Sequence, residues 1–158
     1  MITKNIKNKR KKVNGFTCTL PAKSVNEGLA RGMISAFCSQ ADPTVEELCD
    51  VKTAVSEAVT NCIVHAYRDV EDERIKKIFL KAEYYDDGLL CITVKDSGCG
   101  IDNIEKAMQP MYSGSGSEER SGMGFSIMQC FTDKLRVKSN KNGTTIILKK
   151  YIGQDERN

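Results

Sequence analysis

No apolar run in the sequence approaches the roughly 20 residues that a membrane helix requires. The basic start is not followed by an apolar stretch of the secretory kind, so the chain reads as cytoplasmic. No two of the seven cysteines are spaced C-x-x-C, and their number is odd. That argues against a disulfide framework or a zinc site and for reduced thiols packed as small hydrophobes. Neither the P-loop pattern nor the dinucleotide fingerprint occurs, which removes two common nucleotide-binding folds. Histidine occurs once, as His65.

What is present is an ordinary globular composition, with 40% hydrophobic and 28% charged residues in a chain of 158. A chain of that length buries roughly 70% of the surface exposed on unfolding, enough for a single core. The net charge of +3 belongs to one end. Lys4, Lys7, Lys9, Arg10, Lys11 and Lys12 lie in the first twelve positions, and without them 18 basic residues face 21 acidic ones. Residues 1–14 therefore read as a solvated, disordered tail, with no direct DNA binding expected. Residues 15–152 read as one domain and 153–158 as a C-terminal tail.

Residues 16–20 alternate and stop at Pro21, which predicts a strand. Residues 24–40 carry Val25, Leu29, Met33, Ile34 and Phe37 at helical spacing, with Ser24 and Glu27 as a capping box. Thr44 and Glu47 repeat that box before a long helix over 44–68, whose stripe is Leu48, Val51, Val55, Ala58, Cys62 and Ala66. Residues 78–85 and 89–96 flank Asp86-Asp87-Gly88 as a hairpin, and 135–139 and 144–151 flank Asn142-Gly143 as another. Short helices are expected over 103–108 and 125–131, with a flexible glycine-serine stretch between them. Hairpins outnumber crossovers, so the reading is an α+β fold with a mainly antiparallel sheet and helices on one face.

Four groups of residues suggest chemistry. Glu57 and Asn61 stand four apart and project side by side from the long helix, with His65 one further turn on. A carboxylate there can take a proton, and an amide oxygen suits Mg²⁺. Asp96 closes a strand on the face of Leu90, Ile92 and Val94, so its carboxylate is buried and wants a donor, such as the exocyclic amino group of adenine. Gly98 and Gly100, then Gly122 and Gly124, allow backbone N–H groups to approach phosphate, and a helix from Phe125 would aim its positive end there. Arg120 precedes the second pair. The plainer readings of these residues are a solvated helix face, an aspartate capping a turn, and an arginine paired with Glu118 or Glu119.

Taken in order, the motifs resemble the GHKL ATPase superfamily. Glu57-Ala58-Val59-Thr60-Asn61 is similar to its N box, and Asp96-Ser97-Gly98-Cys99-Gly100 to its first glycine box. Arg120-Ser121-Gly122-Met123-Gly124-Phe125 is similar to the second, and Gly143-Thr144-Thr145 to the closing Gly-Thr motif. The stretches 55–61, 109–111 and 119–125 further resemble the anti-sigma F factors of spore-forming bacteria.

That resemblance implies a Bergerat α/β sandwich, a homodimer, and capture of a sigma F-like factor. It also implies phosphorylation of a serine on an anti-anti-sigma factor, with Mg²⁺ and ATP bound and ADP released. Carried onto this chain, it makes Glu57 the base, Asn61 the Mg²⁺ ligand, and Asp96 with Thr144 the adenine-reading pair. Gly98, Gly100, Ser121, Gly122, Met123, Gly124 and Phe125 line the nucleotide. Arg120 meets the γ-phosphate or a partner, and Glu27 and Arg31 contact partners. The rival readings are a stress-response type anti-sigma kinase, a histidine-kinase-type ATPase domain, and a non-catalytic nucleotide-switched module. The chain departs from the family pattern at Ala66, where glycine is usual, and at Ser113-Gly114-Ser115-Gly116, which replaces a lysine-containing lid segment.

Overall fold

The computed structural model describes residues 9–110 and 122–153. Strand β1 is Lys12–Pro21, helix α1 Val25–Cys38, and helix α2 Val45–Asn61, continued by a π turn over Cys62–Ala66. The hairpin of β2 (Lys77–Tyr85) and β3 (Leu89–Asp96) comes next, then the short α3 (Ile104–Ala107) and α4 (Gly124–Phe131). A second hairpin, β4 (Lys134–Asn140) and β5 (Gly143–Tyr151), ends the fold. Among the described residues the strands make one sheet in the order β1-β2-β3-β5-β4, antiparallel at every step.

Period-two alternation explains which face of the sheet is covered. Ile78, Leu80 and Ala82 of β2, Leu90, Ile92 and Val94 of β3, and Ile146 and Leu148 of β5 are all buried. Against them lies the α2 stripe of Val51, Ala54, Val55, Ala58, Val59 and Cys62. Each such large aliphatic side chain contributes roughly 1.5–3 kcal/mol when removed from water. Helix α1 adds Ala30, Ile34 and Cys38, and its Phe37 meets Phe16 of β1 edge-on, with ring centroids 5.2 Å apart.

Three local expectations are corrected. Strand β1 begins at Lys12, inside the stretch expected as tail, because Gly15 to Pro21 pair with β2 and the ladder extends back to Lys12 opposite Tyr85. Arg10 pins the chain just before it, on Asp87 at 2.6 Å and the Tyr151 hydroxyl at 2.8 Å. Second, the box at Ser24 does not form: its backbone is already helical and its side chain caps nothing. Glu27 turns away to accept from Ser56 Oγ at 2.6 Å. The box at Thr44 and Glu47 does form, in both directions. Third, Val25 and Leu29 face solvent at 78% and 50% exposure. The small Ala30 permits close packing on the face it shares with Ile34 and Cys38, so that face, not the Val25–Leu29 one, is buried.

Candidate functional site

Helix α2 delivers two of the expected residues. Glu57 and Asn61 stand one turn apart, and Asn61 is the last residue before the backbone widens into the π turn. Such turns concentrate at functional sites because they insert a residue and rotate the next part of the helix. His65 lies within the π turn, and its backbone carbonyl accepts from Cys99 Sγ at 3.5 Å.

Strand β3 delivers Asp96, 5% exposed. Its Oδ1 accepts from Gly98 N at 2.9 Å and Thr144 N at 3.2 Å. Its Oδ2 accepts from Cys62 Sγ at 3.6 Å. Burial pushes the Asp96 carboxyl above the usual range, and the three donors oppose that without cancelling it. The Cys62 thiol is pushed well up by burial, then by the adjacent carboxylate, so it stays a neutral donor. The turn-capping and ligand-reading interpretations of Asp96 are therefore compatible: one oxygen holds the loop, and the other has Cys62 as its single donor among the described residues. Thr144 is buried, and its Oγ1 shares a hydrogen bond with Ser139 Oγ at 2.7 Å. Ser139 Oγ also accepts from Ile101 N at 2.8 Å, fastening the first glycine loop to β4.

The first glycine pair is demanded by the protein itself. A Cβ on Gly98 would lie 2.0 Å from the Ala66 carbonyl oxygen, and the next residue, Cys99, donates its N–H to that oxygen at 2.8 Å. Gly100 has φ +77, and its Cβ would lie 1.9 Å from the Asn140 carbonyl oxygen. Their expected place along a phosphate chain is thus joined by a packing role. Gly98→Ala is expected to lower the unfolding free energy by about 3 kcal/mol through overpacking, read as a drop in the urea midpoint without any nucleotide present.

The second pair sits elsewhere. A Cβ on Gly124 would lie 3.2 Å from Glu57 Oε2 and 3.6 Å from Asn61 Oδ1. The N-terminus of α4, with its outward N–H groups and partial positive charge, therefore abuts the N-box pair. Gly122 and Met123 lead into it, and Phe125 packs on the core. Arg120 and Ser121 lie outside the described residues.

Glu27 and Arg31 stand close to the same region. They form an i, i+4 ion pair at 3.7 Å, and Glu27 is tied to Ser56. Arg31, Cys49, Lys52, Thr53, Ser56 and Glu57 line an open groove of about 290 Å³. Sequence spacing gave no hint that α1 residues would border Glu57. It also passed over Tyr67, whose hydroxyl accepts from Ser97 N at 2.9 Å and donates to the Lys77 carbonyl at 2.5 Å. Cys62 was legible only as part of an apolar stripe.

These residues suit an adenine nucleotide. The buried Asp96 carboxylate presents an acceptor for an amino group, and Gly124 forms a cradle where a side chain would crowd Glu57 and Asn61. Asn61 offers the neutral oxygen that Mg²⁺ accepts.

The comparisons with known proteins agree. The family model described as "Histidine kinase-like ATPase domain" matches residues 20–150. A protein of Clostridium perfringens (strain SM101 / Type A) named "Anti-sigma F factor" is 53% identical over 132 residues, which cover 83% of this chain and 91% of that protein. One of the same name from Thermoanaerobacter sp. (strain X514) is 49% identical over 136 residues, covering 85% and 92%. Among solved structures, the RsbU and RsbW domains of Rv1364c from Mycobacterium tuberculosis align with TM-score 0.65 at 19% identity, covering 88% of this chain and 32% of that one. The SiaB-SiaC complex from Pseudomonas aeruginosa aligns with TM-score 0.59 at 9% identity, covering 87% and 89%. At those identities the structural likeness speaks for the fold.

Proposed function

The chain belongs to the histidine kinase-like ATPase domain family and, within it, to the anti-sigma F factors; from that premise we propose that it is an anti-sigma factor and a serine kinase. It captures a sporulation sigma factor of the sigma F type as a homodimer. With Mg²⁺ and ATP it phosphorylates a serine of an anti-anti-sigma factor. The observation that carries the reading is the meeting of three elements. A buried carboxylate with one oxygen held by backbone closes β3, one helix step from Asn61, while the N-terminus of α4 abuts Glu57 and Asn61.

Each residue has a role on this reading. Asp96 Oδ2 accepts from the 6-amino group of adenine, with Thr144 beside it. Gly98 and Gly100 shape the loop past the sugar, and Gly122, Met123, Gly124 and Phe125, with Ser121, bring the α4 N-terminus to the phosphates. Asn61 would hold Mg²⁺, whose charge offsets that of the phosphate oxygens. Glu57 takes the proton of the incoming serine hydroxyl, and Arg120 meets the γ-phosphate or the partner. Little covalent work falls to the protein in phosphoryl transfer; position and charge do most of it. The groove beside Glu57 admits the partner, and Glu27 and Arg31 on its rim contact it.

The test is incubation with labelled ATP, Mg²⁺ and the candidate anti-anti-sigma factor. Label is expected on a serine of the partner, stable to acid. Acid-labile label on His65 of this chain would point instead to histidine-kinase chemistry. Binding of nucleotide with no label on any partner would favour a module that only switches affinity.

A further inference from the structure

Asp96 meets its surroundings asymmetrically. Oδ1 takes two backbone N–H groups, from Gly98 and Thr144. Among the described residues, Oδ2 has one donor, the Cys62 thiol at 3.6 Å. Both side chains are buried, Cys62 at 1% and Asp96 at 5% exposure. A carboxylate oxygen carries two lone-pair sites, so one site on Oδ2 stays open for a ligand. Cys62 begins the π turn directly after Asn61. The contact therefore ties the helix that carries the N-box pair to the strand end that carries the carboxylate.

We propose that Cys62 is a positioning residue for base selection: its S–H fixes the Asp96 carboxylate so that the open site on Oδ2 faces the 6-amino group of adenine. The inference rests on Asp96 being the base-reading residue. The two backbone donors act on Oδ1 alone. The thiol is the one described contact on Oδ2, where it restrains libration and occupies one of the two lone-pair directions, leaving the other to the ligand. It does so without adding a positive charge that would compete for the same oxygen, as a lysine or arginine would. Position 62 lies on the buried stripe of α2, so a small donor that also packs as a hydrophobe suits both demands.

The experiment measures affinity, by calorimetry with Mg²⁺, for ATP and for purine riboside triphosphate, which lacks the 6-amino group. The parent protein is expected to prefer ATP. Cys62→Ala is expected to weaken ATP by about fivefold and the analogue by less than about twofold, since a thiol is a weak donor to a charged acceptor. A cavity or a loosened helix would weaken both nucleotides alike, and that result would overturn the proposal. Cys62→Val fills the space without a donor and is expected to narrow the preference as alanine does, which covers a failure of the alanine variant to fold. Cys62→Ser keeps a donor and is expected to keep the parental preference; a serine variant resembling alanine also overturns it. A parent protein that does not distinguish the two nucleotides sinks the reading of Asp96 itself, whereas a preference left intact in Cys62→Ala sinks only the role of the thiol.

Discussion

Asp96→Asn is expected to weaken ATP binding by about 100-fold or more, while leaving the fold at least as stable near neutral pH. The amide oxygen can still accept from Gly98 N and Thr144 N, so the loop keeps its anchor. The amide nitrogen, however, stands where Oδ2 stood and presents a donor to the donor of adenine. Two donors then face each other in a buried place, and neither is satisfied. The stability side is set by the direction of the Asp96 shift. Burial holds its folded pKa above the ordinary value of 3.8. Folding therefore favours the protonated form, and the cost of the buried charge is absent below the unfolded pKa. That cost grows as pH rises through the window between the unfolded and folded values and is fully present above it. Asparagine has no charge to bury. The variant should melt at or above the parent temperature near pH ~7, with the gap closing as pH falls towards ~3. Calorimetry with ATP and thermal melts across that range check both halves. Parental affinity in the variant would remove Asp96 from the base site.

The elements most legible in the sequence are those set by local pattern. Both hairpins, the capping box at Thr44, and the buried face of β3 with Asp96 on it arise from alternation and turn chemistry. Each depends on residues within a few positions of one another. The features that sequence did not reveal depend on distant partners. Cys62 reaches Asp96 across 34 positions and Arg10 reaches Asp87 across 77. No periodicity encodes such contacts. Helix α1 offered two apolar faces, and only the packing of α2 decided that Ala30, Ile34 and Cys38 go inside. The glycines show the same divide. Their spacing pointed to phosphate, yet Gly98 answers first to the Ala66 carbonyl. The π turn has no compositional signature, and Tyr67, which follows it, meets the Ser97 amide 30 positions away.

Glu57→Gln is expected to lower phosphoryl transfer to the partner serine by a factor of about 10²–10⁴, with ATP affinity within about threefold of the parent. The argument is positional. Glu57 lines the groove with Arg31 and Ser56, and its Oε2 lies 3.2 Å from where a Cβ on Gly124 would sit. The carboxylate therefore stands between the groove and the N-terminus of α4, which on the proposed reading face the incoming hydroxyl and the phosphates. Glutamine keeps the length of the side chain and one acceptor oxygen, but its other terminal atom becomes a donor and it cannot take up the serine proton. On the proposed reading the nucleotide is held through Asp96 and the α4 N-terminus, and it is not expected to sense the change. The kinetic constants should then separate: kcat falls while the KM for ATP is preserved, the mark of an interaction made in the transition state. A raised KM with kcat unchanged would instead mean that Glu57 acts on binding, through the partial charge of α4 beside it. Transfer within about tenfold of the parent rate would place the base elsewhere. The groove would then serve docking alone, with Arg31, Lys52 and Glu57 as the charged groups on its wall.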